Sequence, residues 1–413
     1  MKKNVLVLVV ILILTMTMFM ACARQSRSDG PVTITVSTFA GDPYQISWRR
    51  MFDRFETETG VRVMHDVVPW TNLGERQAME VASGSGSYDV LYVHPFWFEN
   101  LASNGFLVPI NEYTTASERA EFFENLLELY EYNGVEYGLP DWVATQILAY
   151  RKDLFDAAGF SAPRTWNDIL RAAEYFADGD NMYGITFPGI AGGPLAGVFS
   201  SALIGNGGWF VDRNGNPTAN SPAVVETAEF FGRLSRFAPP GYLNFHWEQS
   251  AELAANGRAA MALLMTTNTA WLDDPNRSNT IGRWEFVPNS NRVNGGMIDS
   301  YCWSVVRGTR HMDAAASLVK FIAGTEVQIY LTENMGTSGA TRSYYENQAL
   351  LASFPQLTAL GLAFENTEAQ PSWASWGTEL EVLDNGLHSL FIGRTTARDA
   401  MNAMQTRMVE NRR

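Results

Sequence analysis

Large flat rings stand beside short polar groups wherever this chain leaves a predicted strand. Asp42 follows Phe39-Ala40-Gly41, Trp70 stands in Pro69-Trp70-Thr71-Asn72, and His94 and Trp97 share His94-Pro95-Phe96-Trp97. An indole face can stack on C–H groups, and a fixed carboxylate, amide or imidazole can replace the water that a hydroxyl loses, so such pairs suit a small polyhydroxylated molecule. Further on, the same chemistry is offered by Trp142 and Gln146, by Trp209 after Gly207-Gly208, by Trp271, and by Met297 and Asp299 behind Gly295-Gly296. Arg342, Trp373 and Trp376 complete the candidates. Several have a competing structural reading. Trp70 and Trp97 can seal helix ends, His94 can cap the helix it precedes, Asp299 can cap the core, the glycines before Trp209 can permit a tight turn, and Arg342 can pair with a carboxylate.

Other chemistry is missing from the pattern. No Gly-x-Ser-x-Gly, His-Glu-x-x-His, P-loop lysine or Cys-x-x-Cys motif occurs, and the histidines at 65, 94, 246, 311 and 388 lack metal-ligand spacing. Gly84-Ser85-Gly86 follows a helix and leads into a strand, the reverse of a phosphate loop's order, and reads as a turn. Neither a catalytic residue nor a cofactor is expected. Carboxylates are plentiful and one sequence cannot pair two of them across a cleft, so an exported carbohydrate-active enzyme stays open as an alternative. The formal charge is −14, with no basic cluster, which speaks against nucleic acid as a ligand.

The elements that must position these residues follow from periodicity. Val32, Ile34 and Val36 alternate with polar residues as in a strand, Trp48, Met51, Phe52 and Phe55 recur at helical spacing before Gly60, and Val61-Arg62-Val63 returns to strand. A helix around Leu73–Ala82 and the apolar run Tyr88–Val93 complete βαβαβ, hence a parallel sheet, and the aromatic loops lie at its carboxyl ends. Near the C-terminus Ala397, Met401, Met404 and Met408 form the packing face of a helix.

The first residues carry an address. Lys2-Lys3, the apolar run Val5–Met20 and then Ala21-Cys22 have the layout of a cleaved signal peptide over 1–21, too short an apolar run for a spanning helix. Loss of Lys2 and Lys3 takes the charge from −14 to −16. Phe19-Met20-Ala21-Cys22 resembles a bacterial lipobox, which makes Cys22 a lipid attachment point and residues 22–30 a flexible tether on the outer side of the cytoplasmic membrane. Cys302 is then the only cysteine of the body, expected as a buried strand thiol.

Tyr137-Gly138-Leu139-Pro140, Leu148–Phe155, Ala158-Gly159-Phe160 and Pro163–Asp168 resemble the "YGLP … YNKDLF..AG…PKTW.E" signature of the family 1 extracellular solute-binding proteins, the sugar-binding components of ABC importers. Arg151 replaces the usual asparagine. Asn256–Met261, Asn268-Thr269-Ala270-Trp271 and Thr325–Gln328 continue the likeness, which runs from about Val32 to Met408. It implies an α/β, two-lobed, type II periplasmic-binding-protein-like fold with a mostly parallel sheet in each lobe and a ligand cleft between them. The lobes are expected at 31–140 plus 288–342 and at 141–287 plus 343–413. The implied partners are a carbohydrate, captured by hinge closure, and the transmembrane subunits of an ABC permease; the receptor is expected to be a monomer. Trp271 aligns with a family position that stacks on sugar, and either Trp373 or Trp376, the latter first, is expected to reach the cleft. Adjacent Tyr344-Tyr345 keep a ferric-ion or other small-solute binder of the same fold as an alternative.

Overall fold

The computed structural model describes residues 30–41, 44–179, 181–364, 366–369, 371 and 375–412, so the leader, Cys22, most of the tether, Asp42 and Trp373 lie outside the described residues. The first half opens as its periodicity predicts. β1 (Thr33–Phe39) buries Ile34 and Val36 and pairs in parallel with β2 (Arg62–Val68) on one side and β3 (Val90–Val93) on the other. The helix Tyr44–Thr59 buries Trp48, Met51, Phe52 and Phe55 on one stripe and stops at Gly60, whose positive φ favours glycine. β4 (Glu131–Tyr132) and β5 (Val135–Glu136) form a hairpin turned by Asn133-Gly134, both at positive φ.

β6 (Leu139–Ala144) runs through the single residue Thr145 into β7 (Gln146–Arg151), and this continuous extended run carries the chain between the two lobes. β7 is the middle strand of a second sheet, between β8 (Met261–Met265) and β9 (Trp284–Pro288). β10 (Gly296–Val305) returns to the first sheet antiparallel to β3 and β6, and β11 (Thr367–Ala369) adds to its beginning. The first sheet therefore has the order β11-β10-β3-β1-β2, with β6 also on β10.

The second sheet departs from the expected parallel arrangement. β7 pairs antiparallel with both neighbours, and parallel pairing is confined to isolated bridges at Tyr183–Ala259 and Thr186–Ala262. Its partners β8 and β9 come later in the chain, and both run back across the sheet in the direction opposite to β7.

Each sheet has its own apolar core. One gathers Ile34, Trp48, Phe52, Tyr92 and Trp303 under the first sheet; the other gathers Leu148, Phe199, Phe231, Leu387 and the Met401, Met404, Met408 stripe around Pro194–Gly205, a helix buried along its whole length. Tyr344, Leu350, Leu357, Leu360 and Phe364 belong to the first core, while the helix Gln356–Ala363 also packs against β9 of the second sheet. The chain passes from the first sheet to the second at Thr145 and returns between Pro288 and Gly296. Cys302 is a buried free thiol whose pKa burial pushes well up.

Candidate functional site

Because β1, β2 and β3 are parallel, their carboxyl ends emerge together, beside the Thr145 crossing. Trp70 begins the helix Trp70–Ala82 there, with its ring 45% exposed and its Nε1–H donated to the Tyr301 hydroxyl. His94 caps the helix Pro95–Ser103. Its Nδ1 accepts the Phe96 N–H (3.2 Å), so in the neutral ring the proton sits on Nε2, which donates to Asp299 Oδ1 at 2.8 Å. The His94 ring lies edge-on to Tyr301 (centroids 4.8 Å) and to Trp70 (6.2 Å). Tyr301 stacks on buried Tyr92 (4.7 Å, 10°) and meets Trp142 edge-on at 5.5 Å. Burial, with the Asp299 charge second, holds the Tyr301 phenol well above its ordinary pKa, so the group stays protonated and can both accept and donate. Trp97 is fixed from below: its Nε1–H donates to Gln77 Oε1 (3.0 Å), and Gln77 donates to the Tyr92 carbonyl (3.1 Å).

Gly74 makes room for that last ring. A Cβ there would lie 2.7 Å from Trp97 Cδ2, so Gly74→Ala is expected to destabilise the lobe by ~1–3 kcal/mol and displace the indole. Denaturant unfolding and near-ultraviolet circular dichroism check this; an unchanged spectrum and midpoint would show that Trp97 is not held against the helix.

The second lobe supplies a different set. Gln146, the first residue of β7, accepts from the Ser201 hydroxyl, and Ser201 Oγ accepts the Met297 N–H (3.0 Å). Gln146 Nε2, Met297 Cε and Trp247 Cζ2 converge 3.4–3.5 Å from where a Cβ of Gly197 would stand. Thr145 ties the crossings together, its hydroxyl donating to the Met297 carbonyl (2.7 Å) and its carbonyl accepting Thr266 N–H (2.9 Å). Trp271 lies in the turn Thr266–Leu272 and carries the Arg277 guanidinium over its ring at 4.1 Å, which braces the indole plane.

The structure thus joins Trp70, His94, Trp97, Trp142 and Asp299 into one wall, and Gln146 and Met297 into the adjoining floor. Three other candidates go elsewhere. Trp376 is 7% exposed in the second core, its ring 5.6 Å from Phe210, because as the first residue of the helix Trp376–Phe391 it faces the neighbouring helices. Trp209 is half-buried against the same Phe210 (5.2 Å), so its apolar ring covers the core. Arg342 is exposed with its guanidinium over Phe123 (4.8 Å), a cation–π contact within the first lobe that takes the place of a clamp on ligand or carboxylate. Tyr301 and Trp247 join the site without having been candidates. Tyr301 had a legible signal, since it stands two residues after Asp299 on one strand and so shares its face; Trp247 had none.

Two α/β lobes with chain crossings between them, and with aromatic and hydrogen-bonding groups gathered where strands end at those crossings, define a bilobal binding protein. The family model for bacterial extracellular solute-binding proteins matches residues 41–329, and the chain belongs to that family. It is similar to a putative binding protein of Brucella abortus, 23% identical over 385 residues that cover 89% of this chain and 90% of that one. It is also similar to the mannitol-binding protein of Pseudomonas aeruginosa, 22% identical with 79% and 78% covered. Among solved structures, the cyclic alpha-maltosyl-1,6-maltose binding protein of Arthrobacter globiformis superposes with a TM-score of 0.77 at 18% identity, over 92% of this chain and 98% of that one. The expected two-lobed fold is therefore the observed one.

Proposed function

We propose that this chain captures a carbohydrate or polyol between its lobes and delivers it, unchanged, to the permease of an ABC importer. After removal of the leader, lipid on Cys22 would hold the monomeric body at the outer side of the cytoplasmic membrane. The observation that carries the reading is the Trp70–Tyr301–His94–Asp299 array: an exposed indole face for C–H groups, and beside it a carboxylate and a phenol for hydroxyls. The ligands for which the relatives are named, mannitol and a cyclic maltosyl-maltose, belong to the same chemical class. Closure follows from the crossings, because a ligand touching both walls lowers the free energy of the closed form relative to the open one.

Isothermal titration of the mature protein against a panel of sugars and polyols tests this. Saturable binding, weakened at least tenfold in Trp271→Ala, is the expected result; a folded protein that binds none of the panel would overturn the substrate class. Recovery of the ligand chemically intact separates a receptor from a glycosidase. The ferric-ion alternative loses its footing in the structure. Tyr344 Oη bonds Thr332 Oγ1 (2.7 Å) and Tyr345 Oη donates to the Gly339 carbonyl (2.9 Å), and burial raises both phenols far from the phenolate that iron requires.

A further inference from the structure

We propose that Trp70 is a partition with a binding subsite on each side, and that its outward side opens a groove for the sugar units of an oligosaccharide that extend beyond the cleft. This rests on the reading of the chain as a carbohydrate receptor and narrows the ligand from monosaccharide or polyol to oligosaccharide. The groove, of about 460 Å³, runs between the helices Trp70–Ala82 and Pro95–Ser103 and is lined by Trp70, Gly74, Met79, Phe96, Trp97 and Asn100. That volume falls in the range of small-molecule sites, ~300–1,000 Å³.

Three features select this occupant. Trp70, Met79 and Phe96 are among the most exposed large apolar side chains of the first lobe, at 45%, 59% and 39%, and here they lie together, an apolar strip of the kind that marks a contact surface. The rings are fixed before anything binds: Trp70 through its N–H to Tyr301, Trp97 through Gln77 and against the bare backbone of Gly74. A preorganised aromatic wall costs little ordering on binding. Polar Thr71, Glu75 and Asn100 rim the same groove, which pairs ring faces with hydroxyl partners as the cleft wall does. Continuity is supplied by Trp70 itself, shared between the groove and the His94–Asp299 array, so a chain of sugar rings leaving the cleft past this indole enters the groove directly.

The test is titration of the mature protein with glucose, maltose, maltotriose and maltotetraose, and in parallel with arabinose, arabinobiose and arabinotriose. Affinity is expected to rise about tenfold from the shortest bound member of a series to the longest, the increment that burial of a further ring face would give. Met79→Ala combined with Asn100→Ala should remove most of that gain while the shortest bound member keeps its affinity; thermal melts confirm that this exposed-site variant is folded. Affinity independent of length, or a length gain that survives the double variant, would overturn the groove and leave the receptor reading standing. Failure of every carbohydrate to bind the folded wild type would instead overturn the receptor reading, and the groove with it. Concentration-dependent dimerisation abolished by the double variant, with length-independent binding, would assign the groove to a second copy of the chain and also overturn the proposal.

Discussion

Asp141→Asn is expected to gain about 3 kcal/mol of stability relative to wild type between pH 5 and pH 8. Asp141 lies on β6 in the first core, where Oδ1 accepts the Tyr92 hydroxyl (2.9 Å) and Oδ2 the Trp303 Nε1–H (2.7 Å). Burial raises its carboxyl from 3.8 to about 7 in spite of these two bonds, which pull the other way. A folded-state pKa above the unfolded one means that the native protein holds the proton more tightly. The resulting contribution is fully present below the unfolded pKa and is lost as pH rises from there through about 7. The whole swing is about 4 kcal/mol. Asparagine cannot ionise, so the variant escapes this loss, but its amide nitrogen cannot accept from Trp303 or Tyr92, which costs about 1 kcal/mol at every pH. The variant-minus-wild-type difference therefore moves by about 3 kcal/mol in the variant's favour between pH 5 and 8. Denaturant unfolding at the two pH values reads it directly, and a difference that stays constant would show that Asp141 does not titrate in this window. Other shifted groups, such as His65, lowered by burial to about 4, and Asp384, raised by burial to about 6, act equally on both proteins and cancel.

Whether an interaction is local in sequence explains why some of the fold was legible and part of the site was not. The residues between 151 and 168 that carry the family likeness are structural. Thr165 and Asp168 form a capping box at the start of the helix Trp166–Phe176, Gly159 ends the helix Lys152–Ala158 in the left-handed region, and Arg151 is buried, bonding Asp153 through two nitrogens (2.6 and 2.7 Å). Caps and turns are set by neighbours in sequence, so their signature survives in the linear order. The βαβαβ opening was readable for the same reason, since period-2 and helical patterns are local.

Side-chain direction is not local. Trp376 and Trp70 look alike in sequence, each an indole beside a loop at the start of a helix, yet the helix bearing Trp376 turns it against Phe210 while that bearing Trp70 leaves it over Tyr301. Likewise Tyr344, Leu357 and Leu360 share one core with Ile34 and Trp48, a grouping that no local pattern in the sequence announces.

That contrast yields opposite phenotypes for two tryptophan deletions. Trp70→Ala is expected to weaken sugar binding about a hundredfold with little change in stability. Its ring is nearly half exposed, so folding loses little burial, whereas a ligand loses its stacking face and Tyr301 loses the donor that orients its hydroxyl. Central aromatic anchors of this kind contribute ~2 kcal/mol or more, and ~2.8 kcal/mol corresponds to a hundredfold. Trp70→Phe keeps a ring but no N–H, and should recover most of the loss, leaving about a tenfold deficit for the missing hydrogen bond. Trp376→Ala should do the reverse: it opens a cavity beside Phe210 and lowers stability by ~3–5 kcal/mol, while whatever fraction remains folded binds with near-normal affinity. Paired titration calorimetry and denaturant unfolding on the three variants separate the two roles. If Trp70→Ala bound as tightly as wild type, the indole would be a helix seal, and the ligand wall would have to be built without it.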